Sequence, residues 1–128
     1  MKQNKIFIVE DNFLYSYVLE EKLSDSGNFK ITTFSSAEEC IQMLGNSPDI
    51  IILDYNLEKG MNGLEALKII HEKNPKVKII ILSGQKDAQV TAELLQNGVF
   101  DYIEKKNHEQ AMQKLHDSIL RAFGIGSK

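Results

Sequence analysis

The 128 residues carry a net charge of −3, with 42% hydrophobic and 26% charged residues. That describes one globular domain large enough to bury a core without disulfides or metal staples, and it leaves no overall basic footprint for nucleic acid. Cys40 is the only cysteine, so no internal disulfide is expected and a reducing, cytoplasmic compartment follows. Its neighbours Ala37, Ile41 and Leu44 lie at helical spacing and mark it as packing or surface rather than a nucleophile. No stretch is apolar for long enough to read as a signal peptide or a membrane span.

Strand-like runs and amphipathic segments alternate along the chain. A strand over 5–9 holds Ile6-Phe7-Ile8-Val9, and a helix is predicted over 12–25, where Leu14 and Val18 lie one turn apart, as do Leu19 and Leu23. A strand over 29–34 and a helix over 36–45 follow. The strand over 50–53 is the wholly apolar run Ile50-Ile51-Ile52-Leu53, and Asn74-Pro75 stops the next helix, 63–73. Then come a strand over 78–82, a helix over 86–97 and a strand over 99–103. In the last helix, 107–123, Ala111, Leu115, Ile119 and Phe123 make one apolar stripe. Gly27, Gly45 and Gly98 are candidate helix C-caps. Five βα units with short connections predict an α/β fold, a doubly wound sandwich around a parallel sheet. Residues 1–123 form the expected domain, and 124–128 read as a loose tail.

Short apolar strands are buried on both faces of a parallel sheet, and ligands bind beyond their carboxyl ends. Glu10-Asp11, Asp54, Ser83-Gly84 and Lys105 all fall at or just past such ends. Three carboxylates converging there repel one another unless a cation sits among them, so the pattern implies a metal site with a carboxylate available for chemistry.

The segments Ile-Val-Glu-Asp-Asn (8–12), Ile-Ile-Leu-Asp-Tyr-Asn-Leu (51–57), Ile-Leu-Ser-Gly (81–84) and Asp-Tyr-Ile-Glu-Lys (101–105) resemble the receiver domains of two-component response regulators, over essentially the whole chain. The resemblance implies a flavodoxin-like strand order 2-1-3-4-5, for which a member of this family is itself a standard example. It implies that Asp54 accepts a phosphoryl group from a histidine kinase or phosphotransfer protein. Glu10, Asp11, Asp54 and the Asn56 backbone carbonyl would hold Mg²⁺. Ser83 and Lys105 would bind the phosphoryl group, and Ser83 and Tyr102 would act as the switch. Asn56 and Gln85 are the candidates for setting phosphoryl lifetime.

The chain departs from the family pattern in two places. Lys106 stands where proline usually follows the lysine, and the loop Leu57-Glu58-Lys59-Gly60-Met61-Asn62-Gly63 lacks a proline and is one residue longer than the shortest common form.

Each residue alone has a plainer reading. Asp11 could be a helix N-cap, Asp54 a turn former, Ser83-Gly84 a bend, Lys105 solvated surface and Tyr102 a half-buried sheet residue. Joint occurrence at successive strand ends defeats that reading for the acidic residues and Lys105. His71, His108 and His116 have no metal-ligand spacing and read as surface.

The expected function is therefore a signalling switch that catalyses only its own aspartyl phosphorylation and dephosphorylation. A haloacid-dehalogenase-type phosphatase would need a second aspartate where Asn56 stands. A flavodoxin-like carrier would place acidic Glu10-Asp11 against the flavin phosphate. The alternative is a pseudo-receiver that binds partners without phosphorylation. The expected partners are the donor kinase or phosphotransfer protein and an output protein or effector domain. Family grounds alone allow a homodimer through helices 86–97 and 107–123, and no contact to nucleic acid or membrane by this domain is expected. The chain reads equally as a single-domain regulator or as a receiver cut from a longer protein.

Overall fold

The computed structural model describes residues 4–58, 60–84 and 87–124. Strands β1 (Asn4–Val9), β2 (Phe29–Phe34), β3 (Ile50–Asp54), β4 (Lys78–Ser83) and β5 (Asp101–Glu104) form one parallel sheet in the order β2-β1-β3-β4-β5. Helices α1 (Phe13–Ser26), α2 (Ala37–Gln42), α3 (Gly63–Lys73), α4 (Ala88–Gln96) and α5 (His108–Ala122) alternate with the strands. The expected flavodoxin-like topology is therefore present.

Two-residue alternation sorts the strand side chains onto two faces. Phe7, Val9, Ile51, Leu53, Ile79 and Ile81 pack with Ala37, Ala66, Leu67, Ile70 and Leu94 of α2, α3 and α4. Ile6, Ile8, Ile50, Ile52, Ile80 and Leu82 pack on the other face with Leu19, Leu23, Ala111, Leu115 and Ile119 of α1 and α5. The central strands are buried on both sides, which is why they read as unbroken apolar runs. Register then matters for the site. Val9 lies opposite Leu53, Asp54 opposite Leu82, and Ser83 opposite Glu104, so the strands end at one level.

Several local expectations need correction. The segment 36–45 is not one helix: α2 ends at Gln42 and a 3₁₀ turn covers Leu44–Asn46. The Met43 N–H donates to the Cys40 carbonyl, and the left-handed residue is Ser47 (φ 57°), not Gly45. Gly27 is extended at φ 179°, whereas Gly98 (φ 86°) caps α4 as expected. After Gly98 the Val99 N–H returns to the Leu94 carbonyl at 3.1 Å, which holds Val99 out of the strand; the Phe100 N–H meets the Ile79 carbonyl of β4 at 2.8 Å, and β5 starts at Asp101. The tail expected at 124–128 lies, beyond Gly124, outside the described residues. His71 is not a free surface residue. Its ring lies half-buried, 3.2 Å from the Val77 carbonyl and 3.4 Å from that of Asn97. Among the described residues no helix is long and apolar enough to cross a membrane.

Gly63 begins α3 where there is no room for a side chain, since an added Cβ would lie 2.9 Å from the Tyr55 backbone. Gly63→Ala must push α3 away from the end of β3. It is expected to cost about 1–3 kcal/mol in urea denaturation. An unchanged midpoint would show that the helix can shift freely.

Candidate functional site

The level strand ends bring five of the predicted residues together. Glu10 leaves β1 with its N–H donating to the Phe34 carbonyl of β2, and Lys105 leaves β5 with its N–H donating to the Ser83 carbonyl of β4. Asp54 is the last residue of β3 and, like Glu10 and Ser83, is almost wholly buried. The N-cap of α1 is Asn12, whose side chain accepts the Tyr15 N–H at 3.0 Å. Asp11 is therefore not the cap. Its carboxylate accepts the Glu58 N–H at 2.7 Å, which ties the loop after β3 to the site.

Lys105 Nζ lies 3.0 Å from Glu10 Oε1 and 3.3 Å from Asp54 Oδ1. The other Glu10 oxygen accepts the Asn12 N–H, and Asp54 Oδ1 also accepts the Asn56 N–H. Carboxylate oxygens of Glu10, Asp11 and Asp54 lie within 4.8 Å of one another. Oxygens on opposite sides of an octahedral Mg²⁺ are about 4.2 Å apart, so the set needs only slight closure to hold such an ion. Charge points the same way. Three carboxylates against one ammonium leave two negative charges, which a divalent cation balances.

One ammonium is shared between two buried carboxylates. Burial, with the Asp54 charge added, pushes the Glu10 carboxyl up to about 7, although the Asn12 N–H and Lys105 oppose the rise. For Lys105 burial alone favours loss of the proton. The charges of Asp54 and Glu10 outweigh it and hold the ammonium more firmly than usual.

The remaining predicted residues take definite places. Ser83 Oγ donates to Asn56 Oδ1 at 3.2 Å, so the end of β4 and the loop after β3 are already linked. Tyr102 lies half-buried on β5, packed against the α2–α3–α4 face of the core together with Tyr55 and Val90. Gln85 lies outside the described residues. Cys40 is wholly buried and its thiol is pushed up to about 12, so the packing reading holds.

Two features beside the site escape a reading of the sequence. Leu14 and Val18 look like a core stripe, yet Leu14 is 71% exposed, next to Phe13 at 84% and Tyr17 at 55%. Residues 13 and 17 are one turn apart, so the three form an apolar patch on α1 beside Asp11. The only signal was an excess of apolar residues over what one buried stripe requires. The second feature is Tyr15, whose ring carries the Lys105 ammonium 4.4 Å from its centroid.

Comparison with known proteins agrees with the fold. Residues 6–117 match the model of the family described as response regulator receiver domain. The DNA-binding transcriptional regulator NtrC of Escherichia coli (strain K12) is 31% identical over 106 residues, 82% of this chain but only 22% of that protein. The protein-glutamate methylesterase/protein-glutamine glutaminase of Thermotoga maritima is 30% identical over 134 residues, 94% of this chain and 38% of its own length. The chain thus spans well under half of these curated relatives. Among solved structures, the response regulator domain of Thermotoga maritima CheB superposes with a TM-score of 0.85 at 26% identity, covering 98% of this chain and all of that one. The chain belongs to the response regulator receiver domains, the signalling switches of two-component systems.

Proposed function

We propose that this chain is a phospho-acceptor receiver in which Asp54 takes a phosphoryl group from a sensor histidine kinase or a histidine phosphotransfer protein. The observation that carries this reading is the buried Asp54 carboxylate, 3.3 Å from the Lys105 ammonium and grouped with Glu10 and Asp11. A carboxylate oxygen of Asp54 attacks the phosphorus of a phosphohistidine in line. The P–N bond breaks and its electron pair returns to the imidazole. Later, water attacks the phosphorus of the acyl phosphate, the bond to Asp54 breaks, and inorganic phosphate leaves. Glu10, Asp11, Asp54 and the Asn56 backbone carbonyl would hold Mg²⁺, which when bound would supply neutralising charge for the phosphoryl oxygens.

The chain's own residues do the rest. Lys105 neutralises a phosphoryl oxygen from the side on which it already meets Asp54. Ser83 turns its hydroxyl from Asn56 to the phosphoryl group, so that hydrogen bond must break and the loop after β4 must follow. Tyr102 then turns inward, and the face built from α4, β5 and α5 changes shape. The change is a population shift limited by how strongly the phosphoryl group prefers one state. Asn56 and Gln85 govern access of the hydrolytic water. Residues 1–123 act as the switching unit in the cytoplasm, and the altered face meets an output protein, an effector domain or a second copy.

The direct test is incubation with Mg²⁺ and acetyl phosphate, read by intact mass. One added phosphoryl group, absent when a chelator is present, is expected. A folded protein that neither gains mass nor binds Mg²⁺ would be a pseudo-receiver.

The apolar patch of Phe13, Leu14 and Tyr17 fits the face on which the donor protein docks. Leu14→Asp is expected to slow transfer from a phosphorylated donor protein by about 10- to 100-fold, in line with losing a buried interface anchor. Labelling by acetyl phosphate should stay at the native rate. Equal slowing with both donors would show that the patch serves the fold and not docking.

A further inference from the structure

We infer that Tyr15 is a positioning residue for Lys105, its ring holding the ammonium beside Asp54 where the phosphoryl group will need it; the inference rests on the phospho-acceptor reading above. The Lys105 ammonium has neighbours on three sides. Glu10 lies at 3.0 Å, Asp54 at 3.3 Å, and the Tyr15 ring centroid at 4.4 Å. The two carboxylates compete for it, and Glu10 is the nearer. A lysine brings its charge on a flexible four-carbon stem, which fixes no single position. The ring supplies a third attraction that narrows the choice, because a cation over an aromatic face is held by the ring quadrupole.

The ring itself is anchored. Tyr15 stands in the first turn of α1, half-buried against the α1–α5 side of the core, with the His108 ring edge-on to it at 6.4 Å. Its hydroxyl is buried and has no hydrogen-bond partner among the described residues, so the ring face and not the hydroxyl makes the functional contact. Burial pushes the phenol above its ordinary range, against the Lys105 charge and with the Glu10 and Asp54 charges adding to the rise. A neutral ring leaves the ammonium's charge for the phosphoryl group.

The test compares the full chain with Tyr15→Phe and Tyr15→Met, in Mg²⁺ with saturating acetyl phosphate, well below the melting temperature of each. Phosphoryl uptake is read by intact mass. The Lys105 ε-methylene shift in a carbon–proton NMR spectrum reports whether the ammonium stays over a ring. Met fills similar space without an aromatic face and is expected to slow uptake roughly tenfold, with the ring-current shift of the methylene lost. Phe restores the ring and is expected to rescue both the rate to within about twofold and the shift. Tyr15→Leu replaces Met if Met fails to fold.

Native uptake in a folded Met or Leu variant overturns the inference, as does a methylene shift that ignores the ring. If the native protein itself takes up no phosphoryl group, the phospho-acceptor reading falls. The NMR comparison then still decides whether the Tyr15 ring lies against Lys105, the contact on which the placement depends. A methylene shift that differs between the native protein and Tyr15→Met supports that contact, and an unchanged one rejects it.

Discussion

Asp54→Asn is expected to abolish phosphoryl uptake from acetyl phosphate while the protein still folds. The side chain ends β3 with its neighbours packed on all sides, and asparagine fills the same space without the nucleophilic carboxylate. Mg²⁺ affinity should fall as well, because one of three clustered carboxylates is gone. Metal-free stability should not fall, since the substitution removes a negative charge that presses on Glu10.

Lys105→Met is the complementary change. It keeps the acceptor and the acidic cluster but removes the ammonium 3.3 Å from Asp54. Uptake is expected to slow by about 100- to 1000-fold, the usual cost of losing one preorganised charge stabiliser. The two variants together separate acceptor from stabiliser. Mass added to Asp54→Asn at the native rate would place the acceptor elsewhere, and native speed in Lys105→Met would remove the lysine from the mechanism.

The second large effect is a pH dependence of stability in the metal-free protein. The Glu10 carboxyl sits at about 7 in the fold against an ordinary 4.5. Between those values the folded protein binds more protons than the unfolded chain, so stability is full below about pH 4.5 and is lost as pH rises to about 7. The rise corresponds to about 3 kcal/mol at most.

Glu10→Gln removes this dependence. Without metal, that variant should be more stable than the native protein at pH 8 and differ little from it at pH 5, in paired urea titrations. Mg²⁺ should reverse the order at pH 8, because the cation then favours the charged carboxylate. If the difference between variant and native protein is the same at pH 5 and pH 8, Glu10 carries no excess proton in the fold.

The sequence made the sheet and its functional edge legible because both rest on local pattern. Runs such as Ile50-Ile51-Ile52-Leu53 have few alternatives to a strand buried on both faces, and polar residues that end such runs must collect at one rim. That reasoning located Glu10, Asp11, Asp54, Ser83 and Lys105, and the resemblance of their segments to receivers gave each an expected role. The strand order itself came with the resemblance, since pairing between distant strands leaves no trace in local periodicity.

The tertiary structure decided what depends on contacts between segments far apart in the chain. Asn12 and not Asp11 caps α1, which leaves the Asp11 carboxylate to meet the loop after β3, 47 residues on. Leu14 faces solvent and Tyr15 faces inward because the rotation of α1 is set by its docking on β2 and α5, not by its own spacing of apolar residues. Above all, how far the Glu10 carboxyl is raised is settled by its burial and by its placement between Asp54 and Lys105. The sequence lists three acids and a lysine, while only the packed sheet ends bring Lys105 within reach of two of the acids and strip both of water.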